Sequence, residues 1–274
     1  MWAWARARPA LAHDAAVATL YGAITAVPTA LVAVRVATSV LGEQQVDAFG
    51  DALASALPEG SGPAAVRGLV AAGQLITLPT VVLALVAGSA YGLGLSATMR
   101  AAVPPDEPVG RRPRWWVRAT TVPLLGLGPL LLLALLGVAP LLDRLPATSG
   151  AAGTAAAVYI SLTVVWVLTW APLTWVFRVV GPGRPSLRAA FAGAVISGAF
   201  VSGFLQGFVL VLALPEGIAR PFGGLLAATY VILLLLWAWV LHIVLLLGYA
   251  WAWAYDAGLD GPPAGRPAPS VRVS

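Results

Sequence analysis

Long apolar runs alternate with short polar gaps along the whole chain. Six runs stand out, at about residues 15–41, 69–99, 119–142, 155–177, 189–214 and 223–253. A helix needs about 20 apolar residues to cross the hydrocarbon of a bilayer, and these runs have that length. The pattern predicts an all-α polytopic membrane protein, a bundle of six transmembrane helices within residues 1–257. Residues 258–274 are rich in Pro and Gly and are expected to form a disordered tail. Arg6 and Arg8 precede the first run as in a signal peptide, yet the run continues without a clear cleavage site. It therefore reads as a retained signal anchor.

The polar gaps differ in charge. All 16 positive residues are arginine. Two precede the first run, five lie between the second and third, three between the fourth and fifth, and two in the tail. The other three gaps hold one each: Arg67, Arg144 and Arg220. Basic residues are retained on the cytoplasmic side, so this distribution predicts cytoplasmic N- and C-termini. That arrangement requires an even number of spans, and six satisfies it.

The first gap has a pattern of its own. Val46, Phe49, Leu53 and Leu57 recur at helical spacing, with Glu43, Asp47 and Asp51 on the opposite face. This predicts a short amphipathic helix capping the outer end of the bundle. A loose acidic loop is the alternative, because Pro58 and Pro63 interrupt the pattern. Trp115 and Trp116, and the group Tyr249, Trp251, Trp253 and Tyr255, stand at run ends as headgroup-level anchors.

Prolines 28, 79, 123, 129 and 172 fall inside the first four runs and none inside the last two. Proline frees a carbonyl and bends a helix, so the first four spans are expected to be bent and the last two straighter. Span five carries Ala194, Gly198 and Ser202 at every fourth position, with Gly203 and Gly207 beside them. Span two repeats the device with Gly88 and Gly92. Small residues let helix backbones approach closely in a membrane. Packing is the expected role of these positions, and span five reads as a central helix. The alternative is that the glycines line a substrate path.

Composition narrows the chemistry. The chain is 59% hydrophobic and 10% charged, with mean hydropathy +0.88 and an isoelectric point near 10.2. The basicity is explained by arginines beside anionic headgroups, so no nucleic-acid partner is expected. There is no cysteine and there are only two histidines, His13 and His242. That removes thiol chemistry and clustered-histidine metal centres, so no metal or cofactor is expected. No carboxylate pair lies in a span, and no lysine exists for a phosphate loop. Ser89 with His242 is the one conceivable nucleophilic dyad, with no surrounding motif, and the chain is not expected to be an enzyme.

The few polar groups within spans are the candidates for a substrate path. Arg35 costs about 2.5–3.5 kcal/mol at a helix centre. It lies towards the outer end of span one and either snorkels to water or serves a buried role. His242 sits mid-run, too deep to reach water, and is either hydrogen-bonded within the bundle or part of a polar path. Gln74 and Gln206 are its candidate partners, or else bond across helices.

Residues 176–193, VFRVVGPGRPSLRAAFAG, contain Phe177, Arg178, Arg188, Ala189, Ala190 and Gly193. Trp237, Trp239, Leu247 and Gly248 pattern the last span, and Tyr21 and Pro28 the first. In these features the chain resembles the YihY/BrkB family of bacterial inner-membrane proteins. Where that family commonly has an acidic residue soon after the late glycine, this chain has Ala250 and Ala252. The resemblance implies a six-helix, multi-pass inner-membrane protein linked to envelope integrity, with lipid or lipopolysaccharide export as a proposed role. The family's old ribonuclease label finds no metal-binding histidine motif here.

Two functions are therefore expected. The first is transport or scrambling of a lipid or other amphipathic molecule, with membrane lipids as partners. The second is a non-transporting scaffold that recruits envelope enzymes, as a homo-oligomer or with envelope protein partners.

Overall fold

The computed structural model describes residues 10–55, 61–103, 113–124, 151–212 and 224–259. Among them every regular element is helical. Helix α1 spans Leu11–Leu41 and α2 Glu43–Ser55. Helix α3 spans Ser61–Leu75 and α4 Leu78–Arg100. A short α5 covers residues 114–124. Helix α6 spans Ala151–Trp175 and runs into a π turn, Val176–Val180. Helix α7 spans Leu187–Leu212 and α8 Leu226–Leu259.

Five segments are long and apolar enough to cross a membrane: Leu11–Leu41, Leu78–Arg100, Val158–Val180, Leu187–Leu205 and Ala228–Ala257. The expected third span lies mostly outside the described residues, which show only its first turns in α5. The expected tail lies outside them too, apart from 258–259, which continue α8.

The expected second span is not one helix. It breaks at residues 76–77, and Pro79 stands in the first turn of α4 rather than in mid-helix. Proline has no N–H to donate to a preceding turn, and its ring clashes with that turn's carbonyl. At a helix start neither matters, because the first amides have no intrahelical partner. Thr77 is extended and leads the chain into α4. The 15 residues of α3 rise only about 22 Å at 1.5 Å each, short of a bilayer core.

Helices α2 and α3 form a hairpin on the far end of α1. Gly42, at φ +90°, reverses the chain while its N–H donates to the Thr38 carbonyl, 2.9 Å away. A small core of Val34, Ala37, Val46 and Val70 joins the three helices. Gly73 admits Val34, against which any Cβ would collide. The buried face of α2 is Val46, Gly50 and Ala54, not the predicted Val46, Phe49 and Leu53. Gly50 lies against Val70. The acidic side faces α3: Asp51 pairs with Arg67 at 2.8 Å, and Asp47 accepts from Gln74 Nε2 at 2.8 Å. The helix is turned from the orientation that hydrophobicity alone predicts, with Gly50 and Ala54 packed inward in place of Phe49 and Leu53.

The spans form two packed pairs, α1 with α4 and α6 with α7, and α8 packs on both α1 and α7. The joint between the halves is therefore α8, while α7 is clasped between α6 and α8. The main core lies at one end of the bundle. It gathers Ala15, Leu95, Met99, Val117, Phe177, Val180, Leu246 and Tyr249 from α1, α4, α5, the π turn and α8. The arginine-rich connections lie at this end. Elsewhere large apolar side chains such as Ile24, Leu83, Phe200 and Leu236 point outward, as a lipid-facing surface requires.

Candidate functional site

Three polar arrangements interrupt this apolar bundle. The first surrounds His242, buried on α8 where that helix meets α1 and α4. Its Nδ1 lies 2.7 Å from the Ala238 carbonyl and 3.1 Å from Thr19 Oγ1. Its Nε2 lies 2.9 Å from Tyr91 Oη. The carbonyl can only accept, so Nδ1 carries the hydrogen and Nε2 accepts from the Tyr91 hydroxyl. Thr19 donates its own hydrogen to the Ala15 carbonyl at 2.8 Å, leaving its oxygen to share the Nδ1 hydrogen. Gly22 of α1 lies beside both rings, a Cβ built there standing in ordinary contact with Tyr91 and His242 at 3.5 and 3.6 Å. Both imidazole nitrogens are thus engaged within the protein.

The candidate partners of His242 lie elsewhere. Gln74, on α3, bonds Asp47 through its side chain and accepts from Arg35 Nη1 through its carbonyl at 3.0 Å. Arg35 is exposed near the C-terminal end of α1. It stands 16 residues beyond Thr19, about 24 Å along an α-helix. Arg35 and Gln74 form one polar station and His242 another. Gln206 lies on α7, with its side chain outside the described residues. The Ser89 hydroxyl donates to the Val86 carbonyl rather than to His242. Among the described residues no three His, Asp or Glu side chains gather as a metal site would need.

The second arrangement is the turn between the π turn and α7. Tyr249, Trp253 and Asp256 form one stripe of α8, at i, i+4 and i+7. Tyr249 Oη accepts from the Gly183 N–H at 3.1 Å, and Asp256 Oδ2 from the Ser186 N–H at 2.8 Å. Trp253 lies against Gly183 so closely that no Cβ fits there. From the other side, Arg178 Nη1 donates to the Arg184 and Pro185 carbonyls at 2.9 and 2.8 Å. Ser186 Oγ accepts from the Ala189 N–H and caps α7. Tyr249 and Trp253, expected as headgroup-level anchors, face this turn, and Asp256, which no sequence motif marks, joins them. Their common spacing on α8 was the available signal.

The third is an open groove of about 590 Å³ between α6 and α7. Its walls are Val167, Trp170, Ala171, Thr174 and Trp175 on one side, and Leu187 with Phe191 on the other. Val167, Trp175, Leu187 and Phe191 are exposed, so it faces outward, into lipid. Arg178 closes the end beside the clamped turn.

The small residues divide by neighbour. Gly92 faces Thr121 of α5, and Gly198 faces Thr169 and Trp166 of α6. Ser202 donates to the Leu162 carbonyl at 2.7 Å, also on α6. Gly207 meets Trp237 of α8 at 3.4 Å, and Gly88 is buried. Gly203 differs: nothing lies within 4 Å of a Cβ built there. Among the described residues it is not a packing position, because it is turned away from both neighbours of α7.

These features define a multi-pass helical membrane protein whose arginine-rich end is its most tightly built part. A family model described as "Virulence factor BrkB" matches residues 10–270, nearly the whole chain. The chain belongs to that family. Comparison with curated proteins and with solved structures gave no match.

Proposed function

We propose that this chain is a bacterial inner-membrane protein of envelope integrity that binds and moves an amphipathic molecule, a lipid, along its lipid-facing surface. The groove between α6 and α7 carries the reading. It is apolar and aromatic along its walls, cationic at one end, and open to the bilayer. A site with those two characters fits a molecule with both an acyl chain and a polar head. A route through the interior is disfavoured by the His242 network, whose hydrogen-bonding capacity is spent on Thr19, Tyr91 and Ala238. The role requires no activated nucleophile. Both termini are cytoplasmic in this reading, which follows from the arginine distribution.

The test is lipid movement in vesicles containing the purified protein, with fluorescent phospholipid in both leaflets and a bleaching reagent added outside. Bleaching beyond the outer-leaflet share, absent in protein-free vesicles, is the expected result. Bleaching that stops at that share in every lipid composition tried would remove passive scrambling and favour the scaffold.

A further inference from the structure

The chemistry at the closed end of the groove identifies its occupant more narrowly. Arg178 uses only Nη1 to hold the Arg184 and Pro185 carbonyls. A guanidinium has five N–H donors in a planar fork, so Nε and Nη2 remain without a protein acceptor among the described residues. Two neighbours along the wall are also unpaired: Trp170 Nε1 and Thr174 Oγ1 are buried with no hydrogen-bond partner. Trp170 Nε1 can only donate. Those two atoms are covered from the groove, so what it presents to an occupant is the guanidinium of Arg178, a cation with unfilled donors where lipid offers no water. The N-terminus of α7 is engaged in part within the protein, Asp256 taking the Ser186 N–H and Ser186 Oγ that of Ala189.

We propose that the groove is a binding site for a phospholipid with a net negative headgroup. The phosphate sits against Arg178 and an acyl chain lies along the exposed faces of Val167, Ala171 and Phe191. Arg178 is fixed by the carbonyls it holds, so its remaining donors are presented in a constant direction without loss of side-chain entropy on binding. The headgroup stands at the end that the arginine distribution assigns to the cytoplasm. The proposal rests on the lipid-handling reading but concerns binding, which is measured apart from movement.

The chain has no cysteine, so a single one reports its own surroundings. Ala171→Cys, labelled with bimane, is placed in vesicles containing brominated phosphatidylglycerol or, separately, brominated phosphatidylcholine. Leu247→Cys, on an exposed face of α8 at the same end, is the reference. At Ala171 the anionic lipid is expected to be favoured about fivefold, the preference one cation within reach of a headgroup supplies. At Leu247 no preference is expected. Arg178→Gln should abolish the preference. Should that variant fail to fold because the turn loses its clamp, Val167→Trp fills the groove from the lipid side and should lower quenching at Ala171 by both lipids. Equal quenching by the two lipids at Ala171 overturns the proposal. So does weak quenching by both with cross-linking between copies through the Ala171→Cys position, which would make the groove a contact with a second chain. Preference without scrambling would sink the movement reading and leave the site standing. Scrambling without preference would do the reverse.

Discussion

At the scale of single residues, the membrane interior raises the stakes of each polar contact without making each one strong. The Tyr91–His242 bond is one of three that hold the imidazole. Tyr91→Phe leaves Nε2 with no donor and should cost roughly 1 kcal/mol, within the range measured for hydrogen bonds between membrane helices. A denaturation titration in mixed detergent micelles measures it. Gly94→Ala should cost more, about 1–3 kcal/mol, because the new Cβ would collide with the Tyr21 ring on α1. The need of His242 for partners was legible from its position deep in an apolar run. Their identity was not. Gln74 and Gln206 were chosen for polarity, whereas Thr19 and Tyr91 are selected by which helices lie beside α8. Helix adjacency is set by packing across the whole bundle, and no local pattern encodes it.

At the scale of elements, the clearest device is the stripe on α8 that fixes the turn before α7. Three side chains at helical spacing meet one short segment, Tyr249 and Trp253 at Gly183 and Asp256 at Ser186. Asp256→Ala removes the acceptor of the Ser186 N–H. A hydrogen bond to a charged group contributes about 1.5–3 kcal/mol. The expected readout is local: faster amide hydrogen exchange across residues 183–189, with the His242 region unchanged. Uniform acceleration over all helices would instead mark global destabilisation. The elements themselves were mostly legible, because runs of 20 or more apolar residues admit few alternatives. The failure at residues 76–77 has a definite cause. Hydropathy cannot distinguish a proline that bends a helix from one that begins the next. Only Thr77, extended just ahead of it, marks the difference. The orientation of α2 is hidden for a comparable reason: the surface it packs on, Val70, lies on α3, whose second half hydropathy assigns to the start of a span.

At the scale of the whole molecule, the arginine-rich helix ends converge on one core while α2 and α3 cap the other end of α1. Single cysteines test how this asymmetry sits in the membrane. Ala52→Cys on α2 should react with an impermeant thiol reagent added to intact cells. Ala257→Cys near the end of α8 should react only after permeabilisation. Both positions are exposed, and the opposite result would invert the orientation and remove the cytoplasmic assignment of the groove.

The bridging position of α8 also has a consequence for biogenesis. It is the last of the described helices to leave the ribosome, yet it carries the main packing between α1–α4 and α6–α7. Until it enters the bilayer, the α1–α4 and α6–α7 pairs meet, among the described residues, only at one end, through α5 and the π turn. The turn before α7 meanwhile lacks Tyr249, Trp253 and Asp256. Synthesis arrested before Leu226 should therefore yield inserted but loosely joined halves, the kind of substrate that membrane quality-control proteases remove. Supplying α8 as a separate polypeptide should rescue them.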